Sequence, residues 1–229
     1  MKLTERQGKL LNTIVKEYID SAQPVSSQLL EKRYDFGICP ATIRIEMQKL
    51  TDKGFLSQPH TSAGRIPTDR GYRFFVNNLF EKELKDFEIG DWFEENISDT
   101  IKFIQSLTKH LATASRALTL SYLEKEKIFW KEGWENVLRE PEFNKKDCII
   151  NFTKLLKNLE EDIEELKINS GIKIYIGREN PFPKAGDFSI ISVKCHFPDE
   201  EGIISLLGPK RMEYDRNISL MNSLMKLLE

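Results

Sequence analysis

The first eighty residues pass through three short helical periodicities and then drop helical spacing for a glycine-bearing hairpin, an order that few folds accept. Leu3, Leu10, Leu11, Ile14, Val15, Tyr18 and Ile19 recur every three or four residues and predict a helix over 4–21. Thr4 is its cap, with Gln7 three positions on, as in a capping box. Pro24 breaks that helix, and Ser26 or Ser27 caps a second over about 27–34. Gly37 suits a turn that needs positive φ. Pro40 fits the first position of a third helix, about 40–53, with Cys39 at the cap and Gly54 at the end. FLSQP, the polar loop HTSAGR and IPTDRGYRFF then predict two short strands around a loop, a wing. Thr68 caps a fourth helix carrying Tyr72, Phe75, Val76 and Leu79.

At about 100° per residue, Ile43, Met47 and Leu50 share one face of the third helix. Ala41, Thr42, Ile45, Gln48 and Lys49 collect on the other, with Arg44 on its flank. Two helices, a turn, a third helix and a hairpin make a helix-turn-helix with a wing. A DNA major groove about 12 Å wide admits one helix, whose N-terminal residues reach base edges. These six residues are therefore candidate contacts to double-stranded DNA. The wing adds His60, Thr61, Ser62 and Arg65, hydroxyls and cations suited to a phosphate backbone or a minor groove. Each polar residue also has a plainer reading as part of a solvated face, and Arg70 and Arg73 can pair with acidic neighbours. Ile45 stands apart, because the centre of a solvated face should be polar. Either it meets a thymine methyl or it packs on another part of the protein.

Charge agrees, weakly. The net charge of -2 hides 12 Lys/Arg against 8 Asp/Glu in residues 1–80 and 2 against 8 in 81–99, which reads as an acidic linker. Cys39, Cys148 and Cys195 are far apart and form no ligand cluster with the three histidines, which argues against a metal site and for a reducing, cytoplasmic setting. No apolar run reaches the ~18 residues of a membrane span, and MKLTERQGKL is no signal peptide. Paired carboxylates, nucleophile motifs, phosphate loops and metal spacings are absent, so no enzyme, catalytic residue or cofactor is expected. His60 as a base lacks a partner nearby in the sequence.

Past the linker, Ile97, Ile101, Ile104, Thr108, Leu111, Ser115, Leu118 and Tyr122 step by fours and threes and predict one long helix over 97–123. A second helix over about 147–167 carries Ile149, Phe152, Leu155, Leu156, Leu159, Ile163 and Leu166. IKIYIG, FSIISVKCHF and GIISLLG read as strands, and a helix over about 212–228 follows. The fold class is α+β. A winged helix-turn-helix occupies 1–80 and the linker 81–99. A helical dimerisation region with a small C-terminal α/β domain fills 100–229.

Residues 3–79 closely resemble the N-terminal domain of HrcA, a family of bacterial heat-inducible transcription repressors, and PHTSAGRIPTDRGYRF is the most specific stretch. The resemblance returns at WENVLREPEF, IKIYIGRENPF and LLGPKRMEYDRNISLMNSL. It implies a homodimeric repressor of heat-shock (chaperone) genes that binds an inverted-repeat operator of the CIRCE type. It also implies a GroEL-type chaperonin that maintains the DNA-binding state, and a GAF-like C-terminal domain with an inserted dimerising segment. Three departures stand out. The chain is shorter than usual members. The missing stretch lies between the linker and about residue 128, where early GAF-like strands are expected and the 97–123 helix stands instead. This leaves the completeness of that domain, and the usual dimer, open. Ile45 stands where the family usually has Asn, and Cys39, a poorer cap, where it has Ser. Two other readings are a winged-helix regulator whose C-terminal domain is a small-molecule pocket, and a protein–protein module that has lost DNA binding. The basic wing argues against the second.

Overall fold

The computed structural model describes residues 3–61, 63–81, 86–89, 100–197 and 200–228. Ser62 and most of the acidic stretch 81–99 lie outside the described residues, as does the start of the helix expected from Ile97. The chain divides into two units, Met1–Glu83 and Leu84–Glu229.

In the first unit, α1 (Glu5–Ser21), α2 (Ser27–Arg33) and α3 (Pro40–Asp52) precede a hairpin of β1 (Leu56–Ser57) and β2 (Ile66–Pro67), then α4 (Asp69–Phe80). Side-chain caps set three of the helix starts. The Gln7 amide donates to Thr4 Oγ1 (3.3 Å), Leu29 to Ser26 Oγ (3.1 Å) and Gly71 to Thr68 Oγ1 (3.2 Å). Gln7 closes the capping box by accepting from the Thr4 amide. The apolar stripes read from the sequence meet in one core, where Leu10, Leu11, Ile14, Val15, Leu30, Ile43, Leu50, Tyr72 and Val76 are buried.

In the second unit, α5 (Thr100–Ser115) leads into β3 (Leu118–Leu123) and β4 (Ile128–Glu132). Then come α6 (Trp134–Leu138), α7 (Lys146–Glu161), β5 (Lys173–Ile176), β6 (Phe188–His196), β7 (Glu201–Pro209) and α8 (Tyr214–Leu228). Among the described residues the strands form one five-stranded antiparallel sheet, ordered β4-β3-β7-β6-β5. The long helix expected over 97–123 is thus corrected: it ends at Ser115, Arg116 turns the chain at φ 55, and 118–123 is a strand. Leu118 and Tyr122 happen to extend the helical spacing. A strand buried on both faces shows neither period clearly. β3 and β4 are the early strands that the shortened middle was expected to lack, so the GAF-like sheet has them.

Each face of that sheet has its own cover. Leu118 pairs with Leu207, which pairs with Ile190, so the three share a face. They join Phe152, Leu155 and Leu159 of α7 in the main core of the unit. Alternate residues face α5 and α8 and carry paired hydroxyls: Thr108 with Ser121 at 2.7 Å, and Ser189 with Tyr214 at 2.6 Å. Residues 86–89 of the acidic stretch run along α8, where the Phe87 amide donates to Ser223 Oγ (2.9 Å) and Ile89 is buried. Among the described residues, no helix is long and apolar enough to cross a membrane.

Phe152 is 1% exposed, with the rings of Phe143 and Phe188 each 5.1 Å away. Phe152→Ala is predicted to destabilise the second unit by about 3–5 kcal/mol. The chain's three tryptophans, Trp92, Trp130 and Trp134, all belong to this unit. A urea titration followed by their fluorescence therefore reports it directly. A loss below about 1 kcal/mol would contradict a tightly filled core.

Candidate nucleic-acid interface

α3 begins at Pro40, whose missing N–H is no loss at a helix start. Cys39 takes the cap position with extended backbone but makes no side-chain cap hydrogen bond. Its exposed Sγ lies 3.3 Å from Thr42 Oγ1, and that contact lowers the thiol pKa. Ile43, Met47 and Leu50 are buried against the rest of the unit. Ala41, Arg44, Ile45, Gln48 and Lys49 are exposed on the other side, with Thr42 partly so. The expected face is there, and Ile45 is 55% exposed.

Two hydrogen-bonded clusters hold that face in register. The buried Glu46 accepts from Gln7 Nε2 (2.8 Å) and from Lys49 Nζ (2.7 Å), and Lys53 Nζ donates to Gln7 Oε1 (2.8 Å). The Lys49 ammonium, and after it the Gln7 amide, hold the Glu46 carboxyl below the usual glutamate range. This cluster ties α1 to α3 and engages Lys49. The second cluster belongs to the wing. The Val25 and Arg65 backbones exchange hydrogen bonds of 2.9 and 2.8 Å, an isolated antiparallel bridge that fastens the loop before α2 to the base of the hairpin. A Cβ on Gly64 would lie 2.4 Å from the Val25 carbonyl oxygen, so only glycine permits this approach. The Arg65 guanidinium then donates to Thr51 Oγ1 (3.0 Å) and Gln48 Oε1 (2.9 Å), while Gln48 Nε2 donates to Asp52 (2.8 Å).

The wing loop is organised from within. Gln58 Nε2 donates to the carbonyls of Thr61 (2.8 Å) and Ala63 (3.0 Å). His60 and Thr61 are exposed at its tip. Arg70, for which pairing with an acidic neighbour was one reading, donates to the Lys53 carbonyl (2.9 Å) and sits over the Phe55 ring at 4.3 Å.

Arg44 of α3 and Thr61 and Arg65 of the wing line one cleft of about 360 Å³ together with Ser26 and Gln28 at the start of α2. Ser26 and Gln28 were not among the sequence candidates. Their signal was the hydroxyl cap in VSSQ, which marks the start of α2. Glu46 and Gln7 were missed as well. A charged residue beside Ile43, Met47 and Leu50 was the available clue.

Residues 73–218, more than half of the chain, match the family model described as the HrcA protein C-terminal domain. The chain belongs to the HrcA family. A heat-inducible transcription repressor HrcA from Natranaerobius thermophilus is 28% identical, over 96% of this chain and 94% of its own. Another, from Desulfitobacterium hafniense, is 42% identical over 119 residues, 52% of this chain and 34% of its own. The first alignment runs over 324 positions, more than the 229 residues present here, so that relative carries internal stretches this chain lacks. A crystal structure described as a hypothetical protein is similar at a TM-score of 0.87, covering 99% of this chain and 98% of that one at 23% identity.

Cys39 leaves the start of α3 without a side-chain cap. Cys39→Ser is predicted to stabilise the first unit by about 0.5–1 kcal/mol by supplying one. Thermal melts of the two proteins by circular dichroism check this, and an unchanged midpoint would contradict it.

Proposed function

We propose that this chain is a heat-inducible transcription repressor that acts in the cytoplasm and binds double-stranded DNA as a homodimer on an inverted-repeat operator. One observation carries the reading: α3's outward face, the α2 start and the wing form a single surface. On it, Arg44 has no intramolecular polar partner among the described residues. A guanidinium left free beside a helix N-terminus suits guanine or phosphate, which it meets through two parallel hydrogen bonds. The family membership and the names of the relatives support the same function.

In this reading α3 enters the major groove. Ala41, Thr42, Arg44, Ile45, Gln48 and Lys49 face the bases and adjacent phosphates. His60, Thr61 and Arg65 meet the backbone or a minor groove, and Ser62 belongs to the same loop by sequence. Arg65 and Gln48 arrive already joined, so their geometry is set before DNA is met. Two copies related by a two-fold axis place their α3 helices about 34 Å apart, or a multiple of it, along the duplex. Residues 100–229 supply the dimer contact, and a GroEL-type chaperonin maintains the binding-competent form. Repression is by occupancy of the operator, and the role is that of a regulator, not an enzyme.

The test is a fluorescence anisotropy titration of the full chain against an inverted-repeat duplex and a scrambled one, repeated over a salt series. The logarithm of affinity should fall linearly with that of salt, at a slope that counts phosphate contacts. The inverted repeat should bind more tightly. Arg44→Ala is expected to lose about 1–3 kcal/mol on the inverted repeat and little on scrambled DNA. Absence of binding to both duplexes at low salt would end the DNA reading.

A further inference from the structure

We propose that Ile45 reads the 5-methyl group of a thymine at one fixed position in each operator half-site. The inference rests on the DNA-binding reading above. Ile45 is 55% exposed, the most exposed of the large apolar side chains among the described residues. The next, Leu227 and Phe80, are each 49% exposed and lie at the ends of their helices, whereas Ile45 stands mid-helix on the face that meets the groove.

Its neighbours direct the reading. One turn earlier stands Ala41, whose single methyl leaves the approach to Ile45 open. Three and four residues later stand Gln48 and Lys49, the side chains best suited to hydrogen-bond a base. Both are engaged elsewhere, Gln48 with Asp52 and Arg65, and Lys49 with Glu46. The centre of the reading face is therefore apolar. A β-branched side chain in a helix has essentially one χ1 rotamer, so Ile45 loses little freedom on docking, unlike a lysine or glutamine.

The chemistry of the groove selects the base. Thymine alone presents a methyl at the major-groove edge. Adenine, guanine and cytosine present donors and acceptors that Ile45 would strip of water without replacing their hydrogen bonds, which costs free energy. Ile45 thus gains from thymine and penalises the alternatives. The adjacent Arg44, without a polar partner among the described residues, reads a neighbouring guanine or phosphate.

The experiment starts from a duplex pool with two randomised half-sites arranged as an inverted repeat, selected with the full-length protein and with Ile45→Ala. The exposed position and the higher helix propensity of alanine keep the variant folded, which a melt confirms. Each thymine in the selected half-site is then replaced by deoxyuridine, which deletes only the methyl. The proposal expects one position, at mirror-related sites, where deoxyuridine weakens the unsubstituted protein about fourfold, the worth of one buried methyl. At that position it should leave Ile45→Ala unaffected. An equal penalty for both proteins, or none at any thymine, overturns the role of Ile45 while leaving DNA binding intact. Enrichment of no sequence by the unsubstituted protein overturns the DNA reading itself, and the role of Ile45 with it. A shift of Ile45→Ala from dimer to monomer in sedimentation velocity would assign Ile45 to contact with a second copy and also overturn the proposal.

Discussion

Arg65 ties together three parts of the first unit. Its backbone exchanges two hydrogen bonds with Val25, and its guanidinium reaches Thr51 and Gln48 on α3. The loop before α2, the hairpin and α3 are three separate stretches of chain, and this one side chain and its backbone connect all three. Gly64 makes the approach possible, since any side chain there would collide with the Val25 carbonyl. Much of the geometry of the proposed DNA surface follows. The wing does not hang from its two-residue strands, which alone would be too short to orient it. An arginine expected to offer its charge outward thus also works inward, as a brace.

Much of the fold was legible because local chemistry and packing agree. In the first unit, each helix start was marked by a capping residue or a proline, and each apolar stripe met a partner. Thr4, Ser26 and Thr68 cap the helices that their positions predicted. In the second unit, β5, β6 and β7 were visible as β-branched runs between turns. The strand at 118–123 was not. LTLSYL is buried along nearly its whole length, so hydrophobic alternation is muted, and its Leu118 and Tyr122 coincide with the spacing of the preceding helix. The break is at Arg116, a non-glycine residue at positive φ that nothing in its identity announces.

The candidate site divides in the same way. Which residues face outward on α3 follows from 3.6-residue periodicity alone. Which of them are free does not, because the partners are distant in sequence. Gln7 and Glu46 are separated by 39 residues, and Arg65 and Gln48 by 17. Only the folded unit shows that Gln48 and Lys49 are already engaged, whereas Arg44 has no polar partner among the described residues and Ile45 is exposed.

The contacts that hold α3 in place come from Ile43, Glu46, Met47, Leu50 and Thr51, while Ala41, Arg44 and Ile45 contribute little to anchoring it. If α3 reads DNA as proposed, exchanging Arg44 or Ile45 would therefore change what the surface recognises while leaving its scaffold nearly unchanged. Selection can retune the preferred sequence of such a protein one residue at a time, without passing through unstable intermediates. A lineage could then drift to a new operator while its fold stays the same.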